Sequence, residues 1–384
     1  MTDSRYDVIV LGLGAMGSAA LYHLAKRGAR VCGIERHGIG HEFGCSHGSC
    51  RMVRKAYFEH PDYIPLLERS YALWETLEEE SGQELFVKCG LLLSGMPEST
   101  MVRGLESCYG THHLPHRRMD SDAAAKEYPQ FRFPEGHTVY HDPEGGYVLA
   151  EASVEQFISL AQVNGADLLI HEDAMAWQSN GVGVSVTTHQ RTIGADKLVL
   201  TVGPWAASAF AELGVPISIL RKVQLWYDSP NMGVFRDPSF PCFYFNTDNG
   251  GFYGFPAFSQ LGVKVAEHTG GDPVEDPDHL NRGLEPEDET KVLQFLGEVF
   301  PALEPRRTHF GVCMYSMTPD HHFLLGKHPR HENTIIAGGF SGHGFKFAPV
   351  IGEILADLSI DGTTMHPIEF LGLDRFAPTL RSST

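Results

Sequence analysis

The chain is short of positive charge. Its 384 residues carry 30 Lys and Arg against 48 Asp and Glu, a formal net charge of −18. A protein whose main partner is nucleic acid needs a basic face to release counterions from phosphate, so that role is excluded. A local cationic pocket inside an acidic shell still permits a small anionic substrate. Long hydrophobic runs are also missing: glycine or charge breaks each apolar stretch well short of the ~20 residues that a membrane-spanning helix needs. No basic-then-apolar leader precedes Tyr6-Asp7-Val8, and Arg381-Ser382-Ser383-Thr384 lacks the Ser-Lys-Leu form of a peroxisomal address. Cysteine is sparse, at Cys32, Cys45, Cys50, Cys89, Cys108, Cys242 and Cys313. An odd, scattered set with no secretory leader is expected of reduced thiols in a cytoplasmic protein. Repeats and low-complexity tracts are absent. Hydrophobic residues at 42% suffice for two domains or one large interleaved body.

Glycine is concentrated where it counts. Gly12-Leu13-Gly14-Ala15-Met16-Gly17 follows the apolar run Val8-Ile9-Val10-Leu11. A strand feeding a glycine turn and a helix brings backbone N–H groups and a positive helix end to one spot, the dinucleotide fingerprint. Glu35 closes the next strand, at the distance where an acid accepts hydrogen bonds from the adenosine ribose. Arg36 follows it. A second such unit, Gly338-Gly339-Phe340-Ser341-Gly342-His343-Gly344-Phe345-Lys346, follows Thr334-Ile335-Ile336-Ala337. Two units more than three hundred residues apart fit a long, two-ended cofactor. A tight turn in an unrelated α/β protein is the plain alternative.

The pattern between them is interleaved. Helices are expected over Met16–Arg27 (ended by Gly28), Tyr63–Glu80, Val154–Asn164, Val292–Val299 and Ala348–Leu358. Strands are expected at Arg30–Ile34, Leu91–Leu93, Asp167–Ile170, Val182–Thr188, Lys197–Val202 and Gly311–Tyr315, with aromatic-rich β structure from Arg221 to Glu267. Thr100 to Glu144 is polar, histidine-rich and broken by proline, and no fold is assigned to it. The expected class is α/β (α+β overall): a Rossmann-like cofactor body from residues 1–85, 146–220 and 318–384, and a mostly antiparallel substrate sheet from 86–145 and 221–317.

His41, Cys45, His47 and Cys50 in the loop after the first βαβ unit invite a zinc reading, but their spacing matches no standard pattern, and no metal is expected. Wrapping a cofactor's far end is the better use of such a glycine-rich loop. Arg51 and Arg54, three apart, could share a helical face and present cations there.

Ser46-His47-Gly48-Ser49-Cys50-Arg51-Met52-Val53-Arg54-Lys55-Ala56-Tyr57 resembles the flavin-side loop of the monomeric sarcosine oxidase family, which includes N-methyltryptophan and pipecolate oxidases. Phe340-Ser341-Gly342-His343-Gly344-Phe345-Lys346-Phe347, Tyr253-Gly254-Phe255-Pro256 and Lys264-Val265-Ala266-Glu267-His268 match further family segments, and the similarity spans nearly the whole chain. The resemblance implies FAD, with Gly12, Gly14, Ala15, Met16, Gly17, Glu35, Arg36, Ser46, Arg51, Ala174, Gly342, His343, Gly344 and Lys346 around it. Cys313 stands where the family links its flavin covalently. Lys264 stands where a lysine helps oxygen accept electrons, and His268, Arg51, Tyr253 and Tyr315 are the implied catalytic residues.

Arg54 and Lys346 resemble the pair that holds a substrate carboxylate, with Tyr244 and His47 in the same pocket. Three positions depart from the family: Ser46-His47 replaces paired histidines, Cys50 replaces threonine or serine, and Tyr244 replaces the methionine of sarcosine oxidases. The implied reaction is oxidation of a secondary α-amino acid, N-methyl or cyclic, to an imine, with O2 reduced to hydrogen peroxide by a monomeric enzyme. A dehydrogenase using another electron acceptor, a non-catalytic dinucleotide-binding protein and a zinc scaffold are the other readings.

Overall fold

A computed structural model describes residues 5–376; the C-terminal residues 381–384 considered above lie outside the described part. The strand Tyr6–Leu11 is flanked on both sides by parallel partners, Val31–Glu35 and Thr192–Leu200. Burial on both faces explains why it reads as a continuous apolar run and does not alternate. Asp167–Ile170 and His331–Gly338 extend the parallel set outward. Three antiparallel strands on the Thr192–Leu200 side complete an eight-stranded sheet: Val184–Thr188 pairs the first half of that strand and carries Ala174–Ser179, and Leu324–His328 pairs His331–Gly338.

The helix Ala15–Lys26 is buried from Ala15 to Ala25. It is packed between Ala150–Val163 and Ala348–Ile360, which is why it reads as apolar almost all round. Its contact with the last of these is close: a Cβ on Gly352 would lie 2.5 Å from the Ala19 carbonyl carbon.

A second, nine-stranded mixed sheet draws strands from Leu91–Gly95, Arg117–Asp120 and Thr138–Asp142, and then from Ser218 to Met317. Its longest pairing is Ser218–Asp228 against Arg306–Met317, antiparallel, with Lys222 opposite Cys313 and Leu220 opposite Tyr315. Under this sheet the helix Pro286–Val299 buries Phe295 on Phe252, rings stacked at 4.6 Å, within an aromatic core that includes Phe243, Phe245 and Phe300. The third sheet is small and pairs Cys50–Val53 and Phe86–Val87 with Gly146–Leu149.

Two expectations are corrected here. The stretch left without a fold contains two helices, Thr100–His112 and Ser121–Glu127, and two strands of the nine-stranded sheet. Met101, Val102, Leu105, Cys108 and Tyr109 form a buried helical stripe there, capped by the Ser99 hydroxyl on the Val102 N–H. Arg51 and Arg54 do not share a helical face, because Cys50–Val53 is a strand and Arg54 follows its end.

Candidate functional site: one cavity from a backbone cradle to a cationic end

A cavity of about 520 Å³ runs from the Gly12 turn to Lys346. At its first end the chain offers main chain. Gly12 has φ +89°, and a Cβ there would stand 2.6 Å from the Thr201 carbonyl; only glycine fits both constraints. A Cβ on Gly17 would come within 1.8 Å of the Gly12 carbonyl oxygen, so the helix can sit close under the turn only with glycine at that position. The Ser46 hydroxyl accepts from the Ala15 N–H. Glu35 accepts from the Leu13 N–H at 2.8 Å and the His37 N–H at 2.9 Å. Burial alone would raise its carboxyl, but His41 and these two donors hold it below the ordinary range.

The loop between the two ends is fastened by three charged side chains. Glu151, in the first turn of its helix, accepts from the Gly48 and Ser49 N–H groups at 2.6 and 3.0 Å. Lys264 donates to the Gly48 and Cys50 carbonyls at 2.6 and 2.9 Å. Arg51 donates to the Cys45 carbonyl at 3.0 Å and reaches the Cys313 sulfur at 3.7 Å.

Side chains build the second end. Cys313 and Tyr315, two apart on one strand, both line the cavity, as do Arg51, Arg54, Lys222, Tyr244, Tyr253, His268, Gly342, His343, Gly344 and Lys346. The His268 ring reaches the Tyr315 hydroxyl at 3.3 Å. Burial, with Lys222 beside it, pushes the imidazole down to about 4, so it is neutral at physiological pH. Lys346 is 5% exposed, donates to the His343 carbonyl at 2.7 Å, and is pushed down to about 7 by burial and then by Arg54. Ser70 and Trp74, on the helix Ile64–Ser81, both donate to the Lys346 carbonyl and fix its backbone.

Several sequence-expected residues do not stand as the motifs implied. Arg54 is not a free cation: its guanidinium pairs with the Glu59 carboxylate at 2.7 and 2.8 Å. Glu59 is held down at about 2 by Arg54, His343 and Lys346 against the opposing effect of burial. Lys264, His47 and Gly17 are not among the residues that line the cavity. Lys264 sits behind the loop it holds, near the Trp226 and Phe255 rings, and burial pushes it down to about 8. His47 is 5% exposed, and its Nε2 has no hydrogen-bond partner.

Arg36 lines the cavity mouth, paired with Asp278 at 2.7 Å and Asp173 at 3.4 Å and set against the Trp205 ring. Ala174 lines the first end. His343 is occupied by protein: its Nε2–H donates to the His321 carbonyl at 2.9 Å, which leaves Nδ1 to accept from Tyr57 Oη at 2.5 Å. Among the described residues no group of three or more His, Cys, Asp or Glu could hold a metal ion.

Glu59, Lys222 and Gln224 were missed; all three line the cavity, and Gln224 accepts from Arg51 at 3.4 Å. Glu59 follows two arginines by a few residues, a local pairing visible in the sequence. Lys222 could be found only from its strand register opposite Cys313. It donates to the carbonyls of His268, Thr269 and Gly270 and lies 5.2 Å from the Tyr315 ring centroid. Burial pushes it down to about 8.

Residues 7–358 match the family described as FAD dependent oxidoreductase, the DAO family. The chain belongs to it. Monomeric sarcosine oxidase of Streptomyces avermitilis is 38% identical over 377 residues, 97% of this chain and 98% of that one. N-methyl-L-tryptophan oxidase of Yersinia pestis is 32% identical over 380 residues, 97% and 99% of the two chains. Among solved structures, NikD, described as an unusual amino acid oxidase essential for nikkomycin biosynthesis, superposes in its open form with a TM-score of 0.85. The two are 24% identical, and the match covers 96% of this chain and 97% of that one. L-proline dehydrogenase from P. horikoshii gives 0.83 at 23% identity over 97% and 98%. These two show the fold: a Rossmann-like body joined to a mixed sheet.

The residues present fit a DAO-family flavin. The Gly12 and Gly17 positions exclude a Cβ for geometric reasons, and cations that donate to backbone carbonyls line the far end. Lys222 and Lys346 are buried there and Arg51 is half-buried, and a buried cation is costly unless an anionic or polar group completes it.

Proposed function

We propose that this FAD-dependent oxidoreductase oxidises a secondary α-amino acid, N-methyl or cyclic, and passes the electrons to oxygen with release of hydrogen peroxide. The observation that carries the reading is the Lys346–Arg54–Glu59 cluster at the far end of the flavin cavity. Glu59 balances Arg54 there, and Lys346 supplies the amine that takes up a proton and becomes the second cation when a substrate carboxylate arrives. The relatives, a sarcosine oxidase and an N-methyl-L-tryptophan oxidase, support N-methyl amino acids as the substrate class.

FAD held there would supply the two-electron redox chemistry between the amine substrate and oxygen. This chain's residues do the rest. Arg54 and Lys346 anchor the carboxylate and so fix which face of the α-carbon is presented. Tyr244, Tyr253 and Tyr315 wall the site and exclude water. Neutral His268, steadied by Tyr315 and by Lys222 through its carbonyl, offers a ring nitrogen that accepts a hydrogen bond from the substrate amine and orients it. Lys264 supplies a fixed positive field close to the loop where oxygen is reduced. Gly12, Gly14, Ala15, Met16, Glu35 and Ser46 hold the dinucleotide end, the cluster from Gly342 to Lys346 holds the other end, and Cys313 is the point of covalent attachment. The division into a cofactor body (1–85, 146–220, 318–384) and a substrate sheet (86–145, 221–317) follows the same reading, as does a monomer acting in the cytoplasm. No helix among the described residues is long and apolar enough to cross a membrane.

The test is peroxide release from a panel of N-methyl and cyclic amino acids beside the parent primary amino acids. The proposal expects peroxide from the secondary amines first. Flavin bleaching without peroxide would favour a dehydrogenase. Lys264→Met separates the two half-reactions: anaerobic flavin reduction should survive while reoxidation by oxygen slows by about 100-fold or more, the scale of removing one electrostatic stabiliser.

A further inference from the structure

Outside the cavity, two thiols from distant parts of the chain meet. Cys89 Sγ and Cys242 Sγ are 3.7 Å apart, although 153 positions separate them in sequence. The approach is held by backbone: the Cys242 N–H donates to the Gly90 carbonyl at 3.0 Å, and the strand Cys242–Thr247 then runs parallel to Leu91–Gly95. Cys242 is fully buried, whereas Cys89 is only partly so and lines a surface cleft with Gly90, Tyr128 and His141. One cysteine therefore borders the surface while the other is enclosed behind it.

We propose that Cys89 and Cys242 form a peroxide-oxidisable dithiol, with Cys89 the attacking sulfur and Cys242 the resolving one. The Cys89 thiolate attacks one oxygen of hydrogen peroxide; an S–O bond forms, the O–O bond breaks and hydroxide leaves, which gives a sulfenic acid. The Cys242 thiol, its proton passing to the departing oxygen, then attacks the Cys89 sulfur; an S–S bond forms, the S–O bond breaks and water leaves. Two thiols and one peroxide become one disulfide and two waters. The hydrogen bond from Cys242 pulls the Cys89 thiol below its ordinary range, while burial pushes Cys242 well above it, which matches that order of attack. The bridge would tie the segment before Leu91 to the strand that carries Tyr244 into the cavity.

An internal source of peroxide rests on the oxidase reading, but the site does not, so the test uses added peroxide. Full-length protein with its flavin is freed of reductant, treated with hydrogen peroxide, alkylated and digested. The expected result is a cross-linked Cys89–Cys242 peptide, with two thiols lost. Cys242→Ser should leave Cys89 as a sulfenic acid that a dimedone probe captures, and Cys89→Ser should leave Cys242 alkylatable and unoxidised. If wild-type protein keeps both thiols free after peroxide, or bridges either one to a different cysteine, the proposal is overturned. The same holds if a Cys242→Ser protein with normal flavin absorbance shows no probe adduct on Cys89.

Discussion

The two ends of the cavity are made of different material. The dinucleotide end is main chain: a glycine at positive φ, a second glycine packed under it, and N–H groups gathered by Glu35 and Ser46. The end proposed to take the amino acid is side chain: Arg54, Lys222, Lys346, His268 and Tyr315, brought together from the end of Cys50–Val53, two strands of the nine-stranded sheet and the end of a third, and the turn after Gly342. A backbone site depends on shape and tolerates no added atom. A side-chain site depends on charge held out of water, and it responds to pH and to ligand.

The harshest test of the contrast is Gly17→Ala. Its Cβ would lie 1.8 Å from the Gly12 oxygen and 2.6 Å from Thr201 Oγ1, so helix and turn must separate, at a cost of about 3 kcal/mol or more. Purified protein should carry little flavin, read as the ratio of visible to protein absorbance. Normal flavin content would mean that the first end is not shape-limited.

Arg54→Met comes next. It strips Glu59 of its partner and leaves a buried carboxylate uncompensated, a loss of about 3 kcal/mol or more. Glu59→Gln keeps the volume and should cost less. For amino-acid substrates, Arg54→Met should raise KM far more than it lowers kcat, because carboxylate anchoring is shared by ground and transition states. Equal losses in kcat and kcat/KM would move Arg54 from anchoring to chemistry.

A smaller effect concerns protons. Lys346, ordinarily near 10.5, is pushed down to about 7 in the folded protein. Between those values the unfolded chain holds a proton that the folded chain has released, so this group's contribution to stability rises with pH from about 7 to 10.5. Glu59, held at about 2 against an ordinary 4.5, acts at the acid side: its stabilisation is complete above pH 4.5 and disappears as pH falls through 2. A carboxylate ligand should reverse the Lys346 shift, so binding near pH 8 should take up close to one proton, measured by calorimetry in buffers of different ionisation heat. Lys346→Met should abolish the uptake.

The smallest effect is expected from Glu35→Gln. The amide can still accept from one of the two N–H donors, and flavin affinity should fall by about 10-fold or less, the worth of a single hydrogen bond.

This contrast also explains what could be read from the sequence. Ala15–Lys26, Ile64–Ser81, Asp167–Ile170 and Ala348–Ile360 were visible because local periodicity and glycine punctuation announce them. So was the glycine turn, whose constraint is local backbone geometry. The apolar stripe Met101 to Tyr109 and its Ser99 cap were equally local, but histidines and prolines around them hid the signal.

Other features depend on register and distance. That Lys222 stands opposite Cys313 follows from an antiparallel pairing across some ninety residues, which no local pattern encodes. The motifs pointed to Lys264 without revealing that its ammonium is spent on two carbonyls behind the loop. They pointed to Arg54 without its Glu59 partner, although that carboxylate stands only a few residues on and was open to a local reading.

The central claim is that one flavin fills this cavity with its reactive end beside the Arg54–Lys346 cations. Anaerobic titration with an N-methyl amino acid, run beside the same amine lacking its carboxylate, tests it most directly. Bleaching of the flavin band by the amino acid alone, lost in Lys346→Met, is the predicted result. Equal bleaching by the carboxylate-free amine, or protein that purifies colourless and takes up no FAD, would contradict it.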